Sequence, residues 1–148
     1  MTDETVGMIV SAAGSVSLLA PSVVLDVRKK TLPVWLLAGF GVFGLVVQLA
    51  ILRTSVLLTL TGLLPGVILL VAAALTKEKI GYGDGALSCA LGAWIGGPKA
   101  AGAVLSGLIL GGLFGTALIV FRKKSSAHRI PFAPFLLVGY LLTWLAEL

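Results

Sequence analysis

The chain has 148 residues, 58% of them hydrophobic and only 11% charged, with a formal net charge of +5. Soluble domains carry about 25% charged residues, and here the basic residues sit between apolar runs, where they set membrane orientation rather than bind nucleic acid. An ordinary soluble enzyme is excluded, and residues 1–148 read as a single polytopic membrane domain.

A helix crosses a bilayer with about 20 apolar residues. The first run, Val6–Leu25, follows Met1-Thr2-Asp3-Glu4 with no basic region ahead of it, so it is expected to stay as a transmembrane helix rather than be removed as a signal peptide. It closes on Asp26, which is followed by Val27-Arg28-Lys29-Lys30-Thr31-Leu32-Pro33. Val34–Leu52 and Ser55–Leu75 form the next two spans, with Trp35 near a span end as an interfacial ring and Pro65 expected to kink the third without breaking it. Gly81-Tyr82-Gly83-Asp84-Gly85 then leads into a shorter apolar segment, Gly85–Ile95, whose Trp94 is also placed at an interface and which can extend through Gly96-Gly97-Pro98. Ala100–Phe121 and Pro131–Leu148 complete the set. The expected fold is an all-α membrane protein, a six-helix transmembrane bundle with a short fourth helix. Gly107, Gly111 and Gly115 share a helix face, and Gly62/Gly66 and Gly92/Gly96 repeat the four-residue spacing. Such faces serve helix packing within the bundle or, alternatively, a dimer contact.

Orientation rests on whether Gly85–Ile95 crosses. If it does, Arg28, Lys29, Lys30, Lys77, Lys79, Arg122, Lys123, Lys124 and Arg129 share one face and only Arg53 and Lys99 lie opposite, nine against two. If it does not, the split is six to five. The excess of positive charge on cytoplasmic loops favours six crossings, with Asp26 and Asp84 together at the cytoplasmic face and Asp3, Glu4 and Glu147 outside.

Ionisable groups at the edge of lipid are costly unless paired, hydrated or used, which makes Asp26 and Asp84 the candidate functional residues among six acidic positions. Each has a structural alternative. Asp84 precedes a helix and could act as its N-cap; Asp26 could pair weakly at the surface with Arg28, Lys29 or Lys30. Gly81, Gly83 and Gly85 form a loop free of side chains that could hold an extended substrate strand against the carboxylates, or serve as a flexible turn. Glu78 reads as a solvated loop charge and His128 as a solvated basic-loop residue. The single Cys89 leaves no internal disulfide or paired-cysteine zinc module, and neither a metal site nor a cofactor-binding motif is found.

Taken together, these segments resemble the type IV prepilin peptidase family, membrane aspartic proteases of the Gly-x-Gly-Asp type. The resemblance is carried by Asp26-x-Arg28 with Leu32-Pro33, by Gly81-Tyr82-Gly83-Asp84 with Leu87, Leu91-Gly92 and Gly96, and by Arg129-Ile130-Pro131-Phe132-Ala133-Pro134-Phe135. The chain departs from the family in having Gly85-Ala86 where a Val-Lys pair often follows the second aspartate, and Val34 where asparagine often follows Ile-Pro. The resemblance implies catalytic roles for Asp26 and Asp84, no cofactor, and prepilin or pilin-like substrates cut at the cytoplasmic face of a bacterial or archaeal cell membrane between a short leader and a hydrophobic helix. The basic loops are expected to touch anionic lipid. The likeness is to a minimal form without the amino-terminal cysteine-containing region of longer bifunctional members, which argues against methyltransferase activity. Two other functions compete: a proton- or cation-conducting transport subunit using the same aspartates, and a non-catalytic membrane assembly protein.

Overall fold

The computed structural model describes residues 2–77, 80–122 and 129–147, and these are helical with no strand. Glu78, Lys79, Lys123, Lys124 and His128 lie outside the described residues. Helix α1 (Asp3–Lys29) is followed by α2 (Val34–Val46), whose last turn widens into a π-helix at Val47–Ile51. Helices α3 (Val56–Thr61) and α4 (Leu64–Leu75) make one interrupted span, then come α5 (Tyr82–Ile95), α6 (Gly97–Arg122) and α7 (Ala133–Ala146). Counting α2 with its π turn, and α3 with α4, gives six helical segments. Four of them (Asp3–Lys29, Val34–Ile51, Val56–Leu75 and Gly97–Arg122) are long and apolar enough to cross a membrane. The protein is an all-α membrane protein.

Local chemistry accounts for the helix ends. Thr2 caps α1 by accepting the Thr5 N–H at 3.4 Å, and Asp3 and Glu4 in the first turn with Arg28 and Lys29 in the last match the helix dipole. The helix runs past Leu25 and stops at Lys30, whose left-handed backbone (φ 52°) sends its N–H back to the Asp26 carbonyl at 2.9 Å. The third span breaks at Gly62–Leu63 and restarts with Pro65 in the first turn of α4, where a missing N–H costs nothing. The fourth segment does not extend through Gly96-Gly97-Pro98. Gly96 adopts φ 77°, a conformation open to glycine, and the chain reverses there so that Gly97, Pro98 and Lys99 begin α6.

Packing around α5 organises the bundle. Gly62 and Gly92 meet backbone to backbone, so that a Cβ on either would collide with the carbonyl oxygen of the other. Gly66 faces Cys89, and Gly107, Gly111 and Gly115 face Leu136, Phe135 and Ile130. The small-residue faces therefore pack helices within the chain, which is the first of the two readings of their spacing. Trp94 corrects its interfacial placement. It is 4% exposed, donates Nε1–H to the Phe40 carbonyl at 3.2 Å, and lies over Gly14 and Gly44 with Phe43 edge-on at 5.7 Å. Trp35, by contrast, is exposed as an interfacial ring would be.

The π turn directs Gln48 inward. Its Nε2 donates to the Trp94 carbonyl, which would otherwise be an unpaired helix C-terminal acceptor, and its Oε1 faces the Thr54 hydroxyl at 3.1 Å. Replacing Gln48 by leucine should destabilise the protein by about 1–3 kcal/mol, the cost of orphaning buried polar groups. Thermal unfolding in detergent checks this; an unchanged midpoint would mean that the amide contributes nothing to the fold.

Candidate active site

Both aspartates lie at the same end of the bundle. Asp26 occupies the last turn of α1, where the helix turns its side chain inward; the residue is only 4% exposed. Its Oδ2 accepts the Ala133 N–H at 2.9 Å. Ala133 is the first residue of α7, and Phe132 at the N-cap provides no side-chain cap of its own. The carboxylate thus caps a helix 107 residues away and faces its positive dipole end, which offsets its unfavourable place at the C-terminus of α1. The surface pairing with Arg28, Lys29 or Lys30 is not formed; the ion pair found among the described residues is Lys99–Glu147, 2.8 Å, at the other end.

Asp84 is half-buried in the first turn of α5. It is not the N-cap, a position held by Gly81; its N–H donates to the Gly81 carbonyl at 3.1 Å. The carboxylate lies within electrostatic reach of Asp26 and of the Arg129 guanidinium. A Cβ placed on Gly81 would sit 2.5 Å from Arg129 Nη2 and 3.2 Å from Asp84 Oδ2, so cation and carboxylate flank the same point. Gly83 admits Leu32, and Gly85 admits Leu70 of α4, whose nearest side-chain atoms would lie 3.0 and 2.8 Å from an added Cβ. The expectation of an open loop is corrected: Gly83 and Gly85 lie in the first turn of α5, Gly81 and Gly85 are buried, and the three glycines serve to let neighbouring elements close around Asp84.

The site therefore joins α1, the start of α5 and the approach to α7. The sequence singles out both carboxylates, and gives Arg129 as an orienting charge and as the start of the Arg129–Phe135 motif, but it does not place Arg129 beside Asp84 or show the Asp26–Ala133 bond. The sequence shows only that a cap is wanting there, since no Ser, Thr, Asp or Asn stands at the N-terminus of the last apolar run; it does not show which residue supplies it. A cavity of about 940 Å³ lies at the opposite end, among Gln48, Thr54, Thr59, Tyr140, Arg53 and Lys99. Buried Leu18 and Leu19 on α1 and Leu91 on α5 separate it from the aspartates. Among the described residues no group of three or more His, Cys, Asp or Glu side chains could hold a metal ion.

The sequence that builds this site has a counterpart among known families. Residues 13–116, a stretch containing both aspartates and Gly81, Gly83 and Gly85, match the type IV leader peptidase family. The chain belongs to that family. Leader peptidases similar to it include the prepilin leader peptidase/N-methyltransferase of Aeromonas salmonicida (strain A449), 39% identical over 72 residues, which are 49% of this chain and 24% of that protein. The enzymes of the same name from Aeromonas hydrophila and Stutzerimonas stutzeri are 38% identical over 72 residues and 36% identical over 63. These matches cover 49% and 43% of this chain and 24% and 22% of the two enzymes, so the chain matches about a quarter of the length of these curated relatives. No solved structure matches it.

Proposed function

We propose that the protein is an aspartic endopeptidase that removes the leader of type IV prepilins or pilin-like proteins, with Asp26 and Asp84 as its catalytic pair. The observation that carries the reading is the placement of these two residues, 58 positions apart in sequence, at one end of the bundle and within electrostatic reach of each other, in a chain of the leader peptidase family. Two carboxylates within reach of each other do not readily both ionise, so they share a proton and titrate as a unit. The ionised member accepts a proton from water as its oxygen attacks the scissile carbonyl. The protonated member donates a hydrogen bond to the carbonyl oxygen and then passes its proton to the leaving amine. Water supplies the nucleophile, and neither metal nor organic cofactor takes part.

The nine-to-two distribution of basic residues supports six membrane crossings with this end in the cytoplasm. There the carboxylates would meet a substrate helix that is itself in the bilayer. The basic loops face anionic lipid and are poorly suited to recognising a basic leader. Methyl transfer is not part of the proposed activity. Buried Leu18, Leu19 and Leu91, deeper in the bundle than the carboxylates, argue against a conducting path to the opposite end.

The test is coexpression of the chain with a prepilin in a host lacking its own prepilin peptidase, with leader loss read by mass spectrometry. The wild-type chain should cleave and Asp84→Asn should not. Ion flux in liposomes that is lost in Asp84→Asn, with no cleavage by the wild type, would replace this reading with transport. Cellular function surviving loss of both carboxylates would favour a non-catalytic assembly role.

A further inference from the structure

Beneath the two carboxylates lies a second polar layer that the proposed chemistry does not use. Ser88 follows Asp84 by four residues on α5, and Ser22 precedes Asp26 by four on α1, so each serine shares a helix face with its aspartate one turn deeper. The two helices run antiparallel: Asp26 lies within reach of Asp84 at one end, and Gly14 lies against Trp94 towards the other. That register sets Ser22 opposite Ser88. Both are buried, at 4% and 0% exposure.

Their hydrogen bonding differs. Ser15, Ser22, Thr59 and Thr76 each return the hydroxyl to the carbonyl four residues back, at 2.6–3.1 Å. Ser88 does not; its Oγ has no partner among the described residues. A buried hydroxyl left unpaired costs about 1–3 kcal/mol, and one that forgoes its own helix carbonyl is available to another acceptor. Ser22, with its proton committed to Leu18, has lone pairs free to accept.

We infer that Ser88 and Ser22 are positioning residues that hold a buried water under the Asp26–Asp84 pair. Ser88 donates to the water, and the water donates to Ser22 and to the ionised carboxylate above. The water thereby fixes the orientation of the proton-sharing pair from below, leaving the upper face of the carboxylates for substrate and the attacking water. A site of this kind, with two hydroxyls and a carboxylate, meets the two to four polar partners that a buried water needs. The inference rests on the aspartic peptidase reading.

The test uses the full chain in detergent with a purified prepilin carrying its leader. Ser88→Ala should lower kcat about 10- to 100-fold, the factor that a charge-assisted hydrogen bond carries, with KM little changed and thermal stability equal or higher. Ser88→Cys, which keeps the volume and a weak donor, should recover part of the loss. An infrared band for a protonated carboxyl, present in wild type and lost in Asp26→Asn, should shift in Ser88→Ala. Wild-type kcat and an unshifted band in Ser88→Ala, in a background where both aspartate variants are inactive, overturn this inference and spare the peptidase reading. A fall in stability that parallels the fall in kcat overturns it as well, because the hydroxyl would then be structural. Activity in the aspartate variants removes both readings.

Discussion

Replacing Asp26 by asparagine should reduce leader cleavage by ~10²–10⁴-fold, the usual range for loss of a general acid–base group, while leaving a folded, membrane-inserted protein. On the proposed mechanism Asp26 has a catalytic role beside its observed role as a cap, and the substitution separates the two. The carboxylate accepts the Ala133 N–H that begins α7, and an asparagine oxygen makes the same bond, since Asn and Asp are about equal as helix caps. What asparagine cannot do is share a proton with Asp84. Asp26→Leu removes both functions and should also lower thermal stability, by about 1–3 kcal/mol for the orphaned buried N–H plus the lost dipole interaction. The measurements are leader loss with time and the unfolding midpoint in detergent. Equal stability in the two variants would mean that the Ala133 bond does not hold α7 in place. Cleavage by Asp26→Asn at the wild-type rate would mean that this carboxylate is a cap and nothing more.

That double role explains why one aspartate was harder to read from sequence than the other. Asp84 announces itself through its glycines and lies in the first turn of α5, where its charge suits the local dipole. Asp26 looks misplaced at the end of α1 until α7 comes into view. Its partner is 107 residues away, and no local pattern contains that information. Arg129 is similar: in the sequence it is one of nine charges that orient the chain, whereas in the fold it stands over Gly81 beside Asp84.

The spans were legible because apolar length and flanking charge suffice to define them. Their ends were less so. Gly96-Gly97-Pro98 reads as the tail of a short helix, yet Pro98 lies in the first turn of α6, where the N–H it lacks would have no partner anyway, and Gly96 supplies the positive φ that the reversal needs. Trp94 was misplaced for a physical reason too. An indole near the end of a hydrophobic run suits an interface or a core equally, and Gly14 and Gly44, on two other helices, decide in favour of the core by leaving room for it. Tertiary vacancies of this sort are invisible to a hydropathy pattern.

The glycine crossing of α5 carries the second large effect. Gly92→Ala should destabilise the protein by about 3 kcal/mol or more, at or beyond the upper end of overpacking costs, because the added methyl meets the carbonyl of Gly62 and backbone cannot move aside as a flexible side chain can. Gly62→Ala strikes Gly92 in the same way. Gly39→Ala and Gly112→Ala are the matched controls: a Cβ at either meets nothing within 4 Å, and the change should be neutral or slightly stabilising, since alanine is the better helix former. Unfolding midpoints of the four variants in one detergent decide the matter, and equal midpoints would show that the crossing is not close-packed. Because α5 carries Asp84, forcing this helix away from α3 and α4 also shifts the second carboxylate relative to Asp26, and a displacement of about 1 Å is enough to cost 10²-fold in rate. Gly92→Ala should therefore lose stability and cleavage together, whereas Asp26→Asn loses cleavage alone. The contrast separates a residue that builds the site from one that performs its chemistry.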